Sequence, residues 1–395
     1  MRRIPSLLLT TLAVLVAACE KKAPPAAPPA ATPAEASKQT PSDSAPILVG
    51  QVGSLTGSEA TFGISGRQGI SLALQEANAA GGVKGRPLAL RVYDSQGKPE
   101  EAAQAAARLI SQDHVVVILG EAASSNSMAM ADKAQAAGVP MITPTSTNPA
   151  VTKKGDYIFR VCFIDPFQGE VMARFAHDHL HLKRVAVLQD NKSAYSVGLT
   201  DEFRRKFTEL GGVVVATESY SKGDTDFRAQ LTTLKKTRPE GLFVPGYYTD
   251  AGIIARQARE LGLTLPLLGG DGWDSARLFE LGGAAIEGSY YSNHYSEENP
   301  DPVLQEFITR YKAAYGQVPD SVGALAYDAA RLAIDAMKRA PDLSGPALRD
   351  AIAATRDFPG VGGSITLDAN RDAVKQAVIL KVEGGKARFV TALKP

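Results

Sequence analysis

Cysteine is nearly absent from this chain: two residues in 395, Cys19 and Cys162. A disulfide framework is therefore excluded as what holds the fold together. A surplus of one charge is missing too, with 43 basic and 42 acidic residues and a net charge of +1. That balance argues against nucleic acid as a partner. No apolar run comfortably spans a bilayer; Ile4 to Ala18 is too short. Neither a G-x-S-x-G nucleophile elbow nor a G-x-x-x-x-G-K-[ST] phosphate loop occurs. Ser124 has no identifiable histidine partner, and Cys162 no His/Asn arrangement. Nothing in the sequence requires catalysis, and no cofactor is implied.

What is present begins with an export signal. Arg2 and Arg3 precede the apolar stretch, which ends in Leu15-Val16-Ala17-Ala18-Cys19. This ending resembles a bacterial lipobox, in which Cys19 becomes the lipid-modified first residue of the mature chain. Residues 1–18 are then a signal peptide. Residues 19–45, rich in Ala and Pro, have too little apolar bulk for a core and read as a disordered tether. The folded part, about 350 residues, is long enough for two lobes. Cys162, left without a mate, is expected to be a buried thiol.

From Ile47 onward, strand and helix patterns alternate, which signals parallel sheets with right-handed crossovers. Ile47–Val52, Leu88–Tyr93, His114–Leu119 and Pro140–Thr143 read as strands of a first series. Arg184–Leu188, Val213–Glu218, Leu242–Val244 and Leu265–Leu268 read as those of a second. After Tyr291, three helical stretches and two closing strands around Gly384-Gly385 follow. Such a chain crosses between lobes more than once, and several parallel crossings make a hinge.

Two polar segments stand at the ends of apolar strands. Val115–Gly120 runs into Ala122-Ala123-Ser124-Ser125, and Val139–Ile142 into Thr143-Pro144-Thr145-Ser146-Thr147. Between them, Ser127 to Ala137 reads as a helix, so both loops lie at carboxyl ends of neighbouring parallel strands, where open α/β sheets bind ligands. Ser124 and Ser125 stand at a helix start, whose free N–H groups and hydroxyls suit a carboxylate or another small anion. On the residues alone, the alternative that both loops are only turns and caps stays open. Asp271 in Gly270-Asp271-Gly272 reads on its own as a turn residue. His177, His179 and His181 read as a basic helix end rather than a metal site.

Taken in order, these elements resemble the periplasmic leucine/isoleucine/valine-binding proteins, the receptors of branched-chain amino acid ABC importers. The resemblance rests on Gly57…Phe62-Gly63 and on Leu74-Gln75-Glu76-Ala77-Asn78 leading to Gly81-Gly82-Val83-Lys84-Gly85. Tyr93-Asp94, Ser124-Ser125, Thr143 to Pro149, Phe159-Arg160, Gln168-Gly169, Tyr195, Asp224 to Phe227, Gly246-Tyr247 and Gly270-Asp271-Gly272 complete it. It implies an α/β fold of two Rossmann-like lobes with parallel sheets joined by a multi-strand hinge, the type I or Venus-flytrap arrangement. The expected first lobe is 46–163 with 293–361, and the second 164–292 with 362–395. The ligand carboxylate is expected on Ser124, Thr145 and Thr147, and its ammonium on Asp271. Tyr195 and Tyr247 are expected to close over the ligand, with Phe62, Ala122 and Ala123 as the side-chain wall.

Asp271 stands where leucine-binding members carry Glu, and Trp273 where a smaller apolar residue is usual and so could reshape the pocket. Gly97 and Ala123 occupy the positions of a disulfide found in enteric members. The implied function is capture of an amino acid, leucine or another branched-chain or aliphatic one, by hinge closure and its delivery to an ABC permease. A sensor of the same fold, another small carboxylate or amide as ligand, and a hydrolase of small amides stay open. The expected protein is a periplasmic or cell-surface monomer, anchored through Cys19, with no metal and no nucleic-acid partner.

Overall fold

The computed structural model describes residues 45–395. The leader, Cys19 and nearly all of the Ala/Pro-rich tether lie outside the described residues. The described residues belong to one compact unit.

The first strands are β1 (Ile47–Gly53), β2 (Leu88–Asp94), β3 (Val117–Leu119), β4 (Met141–Thr143) and β5 (Ile158–Arg160), linked in part by α1 (Ala60–Ala79), α2 (Pro99–Ser111) and α3 (Ser124–Ala137). They form a parallel sheet in the order β2-β1-β3-β4-β5. β3 shows why its residues are uniformly apolar. Val117 and Leu119 join one core cluster, and Ile118 faces the opposite one with α2 and α3. A parallel strand covered on both faces has no polar side.

The chain then enters a second lobe through α4 (Asp165–Arg174). There follow β6 (Arg184–Asp190), α5 (Ala194–Glu209), β7 (Val213–Tyr220), α6 (Arg228–Lys236) and β8 (Gly241–Phe243). After these come α7 (Tyr248–Glu260), β9 (Leu267–Gly269), α8 (Ala276–Gly282) and β10 (Tyr290–Asn293). The chain returns to the first lobe for α9 (Pro302–Tyr315), α10 (Ser321–Arg339), α11 (Gly345–Ala353) and the small hairpin β11 (Phe358–Gly360) and β12 (Gly363–Ile365). It ends in the second lobe with β13 (Ala377–Glu383) and β14 (Lys386–Leu393).

Two expectations are corrected here. The second sheet, ordered β14-β13-β10-β9-β8-β6-β7, is mixed rather than parallel. β13 enters from the hinge, pairs antiparallel to β10, and turns back at Gly384-Gly385 to pair antiparallel with β14. Such a turn can only produce antiparallel neighbours. Residues 362–373, assigned from sequence to the second lobe, pack on the first. Ile365, Leu367 and Ala373 lie in its core, and Arg160 N donates to Arg371 O at 3.3 Å.

Helices α1 and α10 lie together on one face of the first sheet. A Cβ at Gly69 would sit 2.1 Å from Gly323 O, so only glycine permits this approach. Asp320 caps α10 by accepting from Gly323 N at 2.8 Å. This packing fixes the start of α10, Ser321 and Val322, at the cleft.

Candidate functional site

Between the lobes lies a narrow cavity. Phe62, Ala122, Ser124 and Thr145 line it from the first lobe, joined by Ser321 and Val322 at the start of α10. Tyr195, Tyr247, Asp271 and Gly272 line it from the second. The lobes are closed on one another. Asn148 Nδ2 donates to Ala194 O (2.8 Å), Ala194 N to Ser125 Oγ (3.0 Å), Thr249 Oγ1 to Ser58 O (2.6 Å) and Ser321 N to Asp274 Oδ2 (2.6 Å).

On the first lobe, α3 begins at Ser124, one turn earlier than its Ala- and Met-rich stretch indicates. Its cap residue, Ala123, offers no side-chain acceptor, so the first-turn N–H groups keep their donor character. The loop before it is held by Glu121, a buried residue that the sequence reading passed over. Its carboxylate accepts from Ser54 Oγ (2.9 Å), Ser95 Oγ (2.6 Å) and Ala123 N (2.9 Å). Its carbonyl accepts from the hydroxyls of Ser127, Thr143 and Ser146. Ser124 Oγ accepts from Asn148 N at 3.3 Å, which leaves its own proton to donate.

The loop after β4 is fixed from behind by Arg160. This fully buried guanidinium donates to the carbonyls of Ser146 and Asn148 and pairs with Asp372 at 2.6 Å. Thr145 reaches the cavity, and its hydroxyl donates to Ala122 O at 3.3 Å. Thr147 does not line the cavity. It is buried beside Asp165, and its hydroxyl meets no partner of hydrogen-bond geometry among the described residues. Ala123 likewise sits behind the wall as the cap of α3.

On the second lobe, Asp271 opens a single 3₁₀ turn after β9 and is both a turn residue and a cavity residue. Its Oδ1 accepts from Gln168 Nε2 (2.8 Å) and Tyr195 Oη (2.9 Å), and its Oδ2 lies 3.0 Å from His294 Nε2. Burial and the neighbouring Asp271 carboxylate push the Tyr195 hydroxyl well above the usual phenol range, so it remains a donor. Tyr195 and Tyr247 stack at 5.3 Å, and Phe62 crosses the cleft to meet Tyr247 edge-on at 5.8 Å.

Trp273 is placed differently from expectation. The 3₁₀ turn carries it past the cleft into the core, where its indole N–H donates to Val244 O at 3.0 Å. A Cβ on Gly269 would lie 2.1 Å from its ring, so the glycine makes room for the indole. Gln168, His294, Ser321 and Val322 were not singled out as site residues. Only Gln168 carried a sequence signal, as part of a shared motif. The geometry offers hydroxyl and N–H donors on one wall, a carboxylate on the other, and an apolar end at Phe62, Ala122 and Val322.

Other groups carry no such chemistry. Cys162 is a free thiol, fully buried, and burial pushes it up to about 12. His177 and His179 lie in a π-helical turn after α4, and no cluster of three metal-ligating side chains occurs among the described residues. No described helix is long and apolar enough to cross a membrane.

Comparison with known proteins agrees with this architecture. Residues 46–387 match the family model described as periplasmic binding protein. The leucine-, isoleucine-, valine-, threonine-, and alanine-binding protein of Pseudomonas aeruginosa is 30% identical over 82% of this chain and 87% of its own length. The leucine binding protein LivK of Thermotoga maritima superposes with a TM-score of 0.84 at 40% identity, covering 88% of this chain and 99% of that one. LivJ of Streptococcus pneumoniae, the substrate binding protein of a branched-chain amino acid transporter, solved in complex with isoleucine, gives 0.84 at 34% identity over 89% and 100%. With its two α/β lobes closed around a polar-walled cavity, this chain belongs to the periplasmic binding protein family, alongside the Leu/Ile/Val-binding proteins.

Proposed function

We propose that the protein is the extracytoplasmic receptor of an amino acid ABC importer and captures leucine, isoleucine or valine by closure of its two lobes. The observation that carries this reading is the polarity of the cavity. Donors from Ser124 and the Thr145 loop face the Asp271 carboxylate across the cleft. A zwitterion satisfies both walls at once, and each buried charge then has a partner. Phe62, Ala122 and Val322 give the side chain an apolar end. A compact aliphatic group buried against these residues contributes about 1.5–3 kcal/mol. A micromolar affinity needs about 8 kcal/mol, within reach of that burial plus the charge-assisted bonds.

In this reading Thr147 supports the carboxylate loop from behind. The protein works as a monomer, tethered through a lipid on Cys19, and presents the closed liganded form to a permease. A thermal-shift series over the common amino acids tests the ligand. Leucine, isoleucine and valine at 100 times Kd stabilise by about 2.7 kcal/mol. A response to basic or acidic amino acids alone overturns the assignment. Cys19→Ser is expected to move the protein from the membrane to the soluble fraction; unchanged fractionation and no acyl labelling in either form contradict the anchor.

A further inference from the structure

His294 is buried in the second crossing between the lobes, immediately after β10. Its ring stacks on Phe163, which belongs to the first crossing, at 4.0 Å between centroids. Its Nε2 lies 3.0 Å from Asp271 Oδ2, and among the described residues it is the only basic side chain within ion-pair distance of that carboxylate. Its Nδ1 meets no hydrogen-bond partner among the described residues.

We propose that His294 is a positioning residue for charge recognition: as a neutral Nε2–H donor it holds Asp271 as an anion facing the cavity, so that the site selects ligands carrying an ammonium over the same carbon skeleton without one. The proposal deepens the amino acid reading above and rests on it.

Three features support it. Asp271 Oδ1 already receives two donors, Gln168 and Tyr195, while Oδ2 receives one. A carboxylate accepts about four hydrogen bonds, so one position remains, on Oδ2. The amide and the phenol are neutral donors that stabilise the carboxylate without cancelling its charge, and the Nε2–H tautomer of His294 acts the same way. A proton on Nδ1 would place a second buried donor where the protein supplies no acceptor, which is costly. A fixed cation at this position would cancel Asp271 and remove the reason to prefer an ammonium. The placement also ties recognition to closure. The donor that orients Asp271 is carried by one crossing and packed against another, so the hinge sets the aim of the carboxylate.

The test is calorimetry with matched pairs, leucine against 4-methylpentanoate and isoleucine against 3-methylpentanoate, the acids measured by competition. Wild type, His294→Leu and His294→Gln are compared, with folding checked by circular dichroism. Wild type is expected to prefer the amino acids by at least about 100-fold. His294→Leu is expected to weaken amino acid binding roughly tenfold while leaving the acids unchanged, because they do not use Asp271. His294→Gln, which keeps a donor, is expected to recover most of the loss. Equal weakening of both members of each pair, or undiminished amino acid binding by His294→Leu, overturns the proposal while leaving the amino acid reading intact. Should His294→Leu fail to fold, His294→Gln decides alone: a collapse of its selectivity ratio to near one overturns the proposal, and retention within about threefold supports it. A wild type without preference for the amino acids overturns both readings.

Discussion

Asp271 and Asp165 are both buried carboxyls beside the cleft, and their surroundings make them different groups. Asp271 is met by three side-chain donors, while neither oxygen of Asp165 meets a hydrogen-bond partner among the described residues. Burial pushes the Asp165 carboxyl up to about 8. Between its unfolded value near 4 and about 8, the folded state therefore holds a proton that the unfolded state has released. The stability contributed at low pH is lost as pH rises through this window, by at most about 1.4 kcal/mol per pH unit, and no further above it. Asp165→Asn is expected to flatten the decline in urea-unfolding stability between pH 5.5 and 8; an unchanged slope contradicts the assignment. Arg160 shows the opposite case, a buried charge fully paired. Arg160→Met strands Asp372 and frees the carbonyls of Ser146 and Asn148, so a loss of about 3–5 kcal/mol is expected in denaturant titration. Combining it with Asp372→Asn should recover part of that loss, and a double variant no more stable than the single one counts against the pairing.

At the scale of elements, the parts legible in the sequence are those that repeat a simple physical rule. The apolar strands β3 and β4 and the polar loops at their carboxyl ends follow from a parallel sheet covered on both faces, and so does the position of Ser124 and Thr145 on the cleft. The Asp271 turn was legible as a turn, and its cavity role came from the family resemblance. What escaped is the layer behind these loops. Glu121 and His294 are single polar residues in irregular segments, and their meaning comes from partners distant in sequence, Ser54 and Asp271 among them. Trp273 misled because two residues along a 3₁₀ turn reverse the direction of a side chain, from cleft to core. The boundary at 361 failed because residues 362–373 have no strong periodicity; their attachment is made by Arg160 and the buried Ile365 and Leu367.

At the scale of the molecule, three crossings among the described residues join the lobes and a set of cross-cleft bonds holds them shut. One of these bonds is a charged latch: Lys222 Nζ donates to Glu59 Oε2 at 2.6 Å and to Gly97 O at 2.7 Å. Glu59 is buried, whereas Lys222 is about one-third exposed (34%), so solvent screening limits the contribution of the pair to about 1 kcal/mol. Lys222→Ala is expected to speed ligand release about fivefold in stopped flow; an unchanged release rate removes the latch from the closing mechanism. The central claim is that closure brings the Asp271 carboxylate onto the ammonium of an amino acid whose carboxylate rests on the first lobe. Calorimetric titration of leucine, isoleucine and valine into wild type and Asp271→Asn tests it most directly. The substitution keeps the size and removes the charge, and loss of a desolvated charge partner costs about 2–5 kcal/mol. The account predicts an affinity at least about 30-fold weaker in the variant, reached mainly through faster release. Equal affinity in wild type and variant would contradict it.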